Sequence, residues 1–206
     1  NVQASNHECF LHFYNGHQMG YNHETGEQLI PQEGIIMSTG RPEDFCWNDS
    51  DEMTTKWNTT GDEDLTELLR NGTGNQNMVT YDACVIEFDF KCPDDTLNSP
   101  HISFQYMWGS DEYYEYVNSD FNDAFAFFLN GENIALLPDG TQVAINSVNP
   151  HQNSELYHEN DVSEASGMQY IEIEADGFTS ILTADGAVTN ENNGWNTIKL
   201  VIADVS

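Results

Sequence analysis

Residues 107–131 read MWGSDEYYEYVNSDFNDAFAFFLNG, and how that stretch is parsed decides the fold. Its second half contains DAFAFFL (123–129), apolar on both faces. A strand accepts that pattern only at the centre of a sheet, where neither face meets water. Asn130-Gly131 follows at once, the pair that turns a tight hairpin. On the N-terminal side, Ile102, Phe104, Tyr106 and Trp108 alternate with Ser103, Gln105 and Met107, the period of a half-buried strand. Between these two aromatic strands the chain places Asp111, Glu112, Glu115, Asp120 and Asp123 beside Asn118 and Asn122.

Working outward, the same period recurs. In CVIEFDFKC (84–92), Cys84, Ile86, Phe88, Phe90 and Cys92 share one face and Val85, Glu87, Asp89 and Lys91 the other. Asn130-Gly131 leads into NIALL, and Asp139-Gly140 turns into TQVAIN. MQYIEIE (168–174), closed by Asp176-Gly177, and NTIKLVIA (196–203) supply later strands. A single helix is predicted in GDEDLTELLRNG: Asp62 caps it, Leu65, Leu68 and Leu69 form its apolar stripe, and Gly72 follows its end. Many short strands with Gly, Asn and Asp turns predict an all-β protein. It is expected to be an antiparallel, jelly-roll-like β-sandwich with one short helix and long acidic loops, forming one domain over residues 1–206.

Composition narrows the function. The chain has 35 Asp and Glu against 5 Lys and Arg, a formal charge of −30. Phosphate binding needs a basic surface, so nucleic acid is excluded as a partner, and direct membrane insertion finds no apolar run near the ~20 residues it requires. An aromatic content of 12% and a hydrophobic content of 38% separate the chain from acidic disordered segments. Asn1 is not an initiator Met, and the chain stops inside the alternation TIKLVIADVS; both features read as a segment of a longer extracellular protein.

Cys9, Cys46, Cys84 and Cys92 lack zinc-motif spacing and fit disulfides formed in an oxidising compartment. Eight residues of strand separate Cys84 from Cys92 by about 26 Å, beyond bridging distance. If two bridges form, each of these therefore pairs with Cys9 or Cys46; four free thiols are the alternative. Sequons at Asn48, Asn58 and Asn71 mark candidate glycosylation sites on the same route.

The acidic stretch offers oxygen donors in the density that calcium requires, six to eight carboxylate, amide or carbonyl ligands from forgiving loops. Asp111 and Glu112 close one strand while Asn122 and Asp123 open the next, so neighbouring strand ends would bring these side chains together around the ion. Two other readings compete: a solvated loop in a protein adapted to salt, and a carbohydrate-active hydrolase with paired carboxylates, for which Asp111, Glu112 and Asp123 are candidates. Tyr113, Tyr114 and Tyr116 are candidate contacts for a protein or glycan.

These same motifs resemble, in order, the choice-of-anchor L domain family. GIIMSTG (34–40), GDEDL (61–65), YDACVIEFDF (81–90), FQYMWGSDEYYEYVNSDFNDAFAFFLNG (104–131), DGFTSILTA (176–184) and IKLVIAD (198–204) carry the similarity. It implies a non-catalytic module of secreted or surface-attached proteins. Its acidic motif positions are Asp111, Glu112, Asn122 and Asp123, with Asp62, Asp64, Asp82 and Asp204 in flanking motifs; Asp82 and Asp204 thereby join the expected calcium ligands. The function expected is adhesion to a protein or glycan at a cell surface, or packing between copies in a surface polymer.

Overall fold

Trp195–Val205 is the strand that organises the protein. The computed structural model describes residues 2–4, 7–13, 25–26, 33–48, 55–91, 100–113, 115–119, 123–161, 170–189 and 192–205. In chain order its strands are β1 (Val2–Ala4), β2 (Phe10–Phe13), β3 (Gly34–Met37), β4 (Thr80–Lys91), β5 (His101–Tyr106), β6 (Gly109–Ser110), β7 (Ala124–Leu129), β8 (Glu132–Asn133), β9 (Tyr157–Glu159), β10 (Gly177–Thr179), β11 (Leu182–Ala187) and β12 (Trp195–Val205), with one helix, α1 (Glu63–Thr73). The largest sheet runs β1-β4-β12-β7-β8, and smaller sheets are β6-β10-β9, β11-β5 and β2-β3. All pairings are antiparallel.

Alternation along the central strands builds two layers. On one face Ala124, Ala126, Phe128, Val201, Ala203 and Val205 pack against Leu65 and Leu69 of α1. The alanines leave the space that the helix fills. On the other face Phe125 and Phe127 meet Tyr106 of β5, with ring centroids 5.3 and 5.0 Å apart. Ala184 of β11 joins the same core, so β5 and β11 form the facing layer. The expected all-β sandwich is what the chain adopts.

Helix α1 begins as expected, with Asp62 Oδ1 accepting from Leu65 N at 3.0 Å. It ends later than predicted: Gly72 lies within the helix, and Gly74, at φ 74°, makes the left-handed cap that donates to Arg70 O. The Asn130-Gly131 hairpin forms with both residues at positive φ, the geometry of a type I′ turn, yet only Glu132–Asn133 pairs beyond it. NIALL and TQVAIN are otherwise irregular, joined by one bridge, Leu136 to Gln142. The described part of MQYIEIE is not a strand either, because its carbonyls turn inward to a buried asparagine side chain.

Cys9 and Cys84 form a disulfide, with Cα atoms 5.9 Å apart, tying the segment before β2 to the middle of β4. The expectation of a bridge at Cys46 is corrected. Its thiol is free and points to Pro42 O, 3.6 Å away, within its own turn. Cys92 lies outside the described residues.

Candidate functional site

Four of the six expected metal ligands meet where β6, β7 and β12 end. Ser110 Oγ accepts Glu112 N at 3.1 Å, turning the chain so that Glu112 Oε2 accepts the backbone N–H of Asp123 at 3.0 Å. Asp123 in turn receives the Val205 N–H of β12 on its carboxylate. Asp204, the preceding residue, accepts a hydrogen bond from the Thr39 side chain. Hydrogen bonds thus fasten the start of β7 to the end of β12 and to the turn after β6.

The electrostatics are those of crowded anions. Burial, then the charges of Glu112, Asp204 and Asp111, hold the Asp123 carboxyl well above the usual carboxylate range. Glu112 is raised by burial and by Asp204 and Asp111, tempered by the Asp123 N–H. Asp204 is raised by burial and by Asp82, with Lys56 and the Thr39 hydroxyl pulling the other way. Proton affinity rises first because burial disfavours the charged form, and then because each charge makes its neighbours harder to ionise. Among the described residues, no three His, Cys, Asp or Glu side chains already converge closely enough to hold a metal ion. The carboxylates are near enough to repel one another without sharing one centre.

Asp82 holds a neighbouring loop by hydrogen bonds. It sits at φ 47° where the β4–β12 register shifts, and its carboxylate accepts Thr59 N (2.6 Å), Thr59 Oγ1 (3.1 Å) and Trp57 N (3.1 Å). Those bonds hold the 57–59 loop. Asn122 lies outside the described residues.

The tyrosines separate. Tyr113, an expected ligand contact, is fully buried; its hydroxyl donates to Val148 O at 2.8 Å and its ring packs on Trp108 and Tyr157. The pocket exists because Gly177 has no side chain: a Cβ there would stand 2.5 Å from the Tyr113 ring. Tyr116 is exposed, and Tyr114 lies outside the described residues. The sequons divide similarly. Asn58 and Asn71 are exposed. Asn48 is not, and the Nδ2 that would carry a glycan donates instead to Asn160 O at 2.7 Å, so that expectation is corrected.

One constellation escaped sequence reasoning. Lys199 Nζ of β12 lies 2.6 Å from both Asp62 Oδ2 and Asp64 Oδ2, locking the N-terminus of α1 to the central strand. The GDEDL acids therefore serve the helix: Asp62 caps it with one oxygen and binds the ammonium with the other. An ammonium 135 residues away along the chain left no local trace. Among the described residues, no helix is long and apolar enough to cross a membrane.

The family model for the choice-of-anchor L domain matches residues 1–206. The chain belongs to the choice-of-anchor L domain family. It is accordingly a module of a surface or extracellular protein, a setting in which the Cys9–Cys84 bridge is chemically at home. No curated protein and no solved structure matches the chain.

Proposed function

We propose that this choice-of-anchor L domain is a non-catalytic binding or assembly module whose recognition loops are stiffened by calcium. The observation that carries the reading is the proximity of Asp111, Glu112, Asp123 and Asp204 at buried strand ends, where burial first and neighbouring carboxylates second raise the proton affinity of Glu112 and Asp123, and burial with Asp82 raises that of Asp204. A divalent cation relieves that repulsion better than a proton does at neutral pH, and calcium accepts the irregular oxygen set that strand ends present. The bound ion would draw the carboxylates inward and order the turn that carries Tyr116. That turn would then contact a protein or glycan at a cell surface, or another copy of the chain in a surface polymer.

A second reading has one observation in its favour. A carboxyl kept protonated near neutrality is what a glycosidase acid requires, and Glu112 and Asp123 have raised proton affinities. One experiment separates the two. The melting temperature is measured with calcium and with a chelator, alongside hydrolysis of a glycan panel. A chelator-induced fall with no hydrolysis supports the module; turnover abolished by Glu112→Gln or Asp123→Asn supports the hydrolase. Stability that responds to sodium chloride but not to micromolar calcium removes the ion from the first reading.

A further inference from the structure

Lys199 meets the start of α1 in a way that capping alone does not require. Its Nζ lies 2.6 Å from Asp62 Oδ2 and 2.6 Å from Asp64 Oδ2. The Lys199 and Asp62 side chains are each only 12% exposed, whereas that of Asp64 is 66% exposed. The Phe128 ring, its centroid 5.9 Å from the same ammonium, adds an apolar wall. An amine and a carboxyl are thus pressed together where little water reaches them, and a second, exposed carboxylate touches the same amine.

Asp62 is held in a fixed pose. Its N donates to Thr80 Oγ1 at 2.9 Å, and its O accepts Thr66 N (3.0 Å), Thr66 Oγ1 (2.7 Å) and Thr80 Oγ1 (3.0 Å). Gly61 lets the chain run this close to β4, since a Cβ there would collide with Thr80 O. The two carboxyl oxygens of Asp62 have different partners. Oδ2 faces the ammonium, while Oδ1 accepts Leu65 N at 3.0 Å, at the positive end of the helix. An N–H aimed at one oxygen of a carboxyl stabilises the charge that develops there when its carbon is attacked. The parts needed to condense an amine with an acid are all present: Lys199 Nζ as nucleophile, Asp62 Cγ as electrophile, the Leu65 N–H as oxyanion donor and Asp64 to carry protons.

We infer that Lys199 and Asp62 condense into an intramolecular isopeptide bond, with Asp64 as the proton carrier. Starting from one ammonium and two carboxylates, a proton passes from Nζ to Asp62 Oδ2, leaving a neutral amine and a neutral acid. The nitrogen lone pair forms a bond to Asp62 Cγ, and the displaced electron pair becomes a negative charge on Oδ1 beside the Leu65 N–H. Asp64 takes a second proton from the nitrogen and returns it to Oδ2. The Cγ–Oδ2 bond breaks, water leaves and the carbonyl re-forms. One proton stays on the amide nitrogen, two depart in the water, and Asp64 ends as it began. Fixed juxtaposition supplies what a dilute amine and acid lack, an effective concentration of about 10⁵–10⁸ M for well-oriented groups. Burial pulls the Lys199 ammonium toward losing its proton, but the hydrogen bonds and charges of Asp62 and Asp64 outweigh it and hold its proton affinity above the usual value. The neutral amine is therefore scarce and the condensation slow: the ion pair comes first, and the amide accumulates with time. Its product is a tie between α1 and the central strand that reductants cannot open.

Intact-mass spectrometry of the full chain tests the inference without involving calcium. The folded protein is incubated in chelator, then denatured and reduced for weighing. The mass should fall by one water as time passes, and digestion should yield a branched peptide joining the Asp62 and Lys199 segments. Lys199→Arg, which keeps the positive charge, should melt cooperatively and hold its sequence mass. Asp64→Asn should fold and lose water about 10²-fold more slowly, or slower still; it decides the matter if Lys199→Arg does not fold. A wild-type mass unchanged after prolonged incubation overturns the inference. So does a loss of water that persists in Lys199→Arg or maps to an unbranched Asp-Gly peptide, the mark of a cyclic imide. Asp64→Asn reacting as fast as the wild type, or a branch at Asp64 in place of Asp62, overturns it as well.

Discussion

Replacing Asp123 by Asn should have opposite effects with and without calcium. Asp123 faces the charges of Glu112, Asp204 and Asp111, and at an effective dielectric constant near 20 a pair of charges about 5 Å apart repels by roughly 3 kcal/mol, less where water penetrates. Asparagine removes that charge and keeps an oxygen for the Val205 N–H. The Asp123 backbone bond to Glu112 is untouched. Without metal, the variant should therefore be more stable than the wild type by about 1–3 kcal/mol. At this chain length that is a rise of about 2–12 °C in melting temperature. The gain depends on pH with a definite sign. A carboxyl whose folded pKa is raised costs nothing below its unfolded value, near 3.9; its penalty grows as pH rises past that value and is complete above the raised folded one. The advantage of Asp123→Asn should accordingly vanish near pH 3 and grow as pH rises. In millimolar calcium the order should invert, because the variant offers the ion an uncharged amide oxygen in place of a carboxylate. Thermal melts from pH 3 to 8, in chelator and in calcium, read all of this. A variant less stable than the wild type in chelator at pH 7 refutes the repulsion on which the reasoning stands.

Lys199→Met should lower stability by about 2–3 kcal/mol in chemical denaturation, below the 3–5 kcal/mol typical of breaking a fully buried pair, since Asp62 keeps its bond from Leu65 N. Asp64→Asn, at a side chain 66% exposed, should cost under about 1 kcal/mol, and equal losses for the two would show that Asp62 is not the principal partner. Gly177→Ala, which sets a Cβ 2.5 Å from Tyr113 and 2.7 Å from Tyr157, should cost about 1–3 kcal/mol by overpacking; a neutral result in thermal melts would mean those rings move freely. In hydrogen exchange, chelation should speed the Asp123 and Val205 amides, which the carboxylates receive, and leave the β4–β12 centre protected; uniform acceleration would contradict a local site.

What the sequence disclosed follows from how locally each feature is specified. DAFAFFL could be placed at a sheet centre because apolarity on both faces leaves a strand nowhere else to go, and β7 is indeed flanked by β12 and β8. The meeting of Glu112 with Asp123 was legible because a strand, a turn and a strand must bring their ends close. Tyr113 could not be told from its exposed neighbour Tyr116, since its pocket depends on the missing side chain of Gly177, more than sixty residues away by chain numbering. MQYIEIE has the period of a strand, but the Asn160 amide competes for the carbonyls of Tyr170, Ile173 and Ala175 that a ladder would have used. Asp82 resembled its acidic neighbours, and only the register shift in β4 turns its carboxylate onto Thr59.

The acidity of the chain poses two separate problems, and they call for different remedies. Many of the described carboxylates are exposed, and ions at physiological strength screen such charges over about 8 Å. Sodium chloride suffices there, and adaptation to salt is a sound account of that surface. Glu112 and Asp123 are different because burial is the first cause of their raised proton affinity, and water-poor surroundings keep mobile salt from the charges that need it. Their repulsion also falls where the Val205 bond ties the central strand β12 to the start of β7 and the Asp123 bond ties β7 to the turn after β6. Loosening there reaches the core shared with α1, whereas loosening at an edge strand would not. A protein shaped only by salt gains nothing from placing carboxylates at that junction, while one that takes up a divalent ion gains a contact that fixes both strands and the adjoining turn at once.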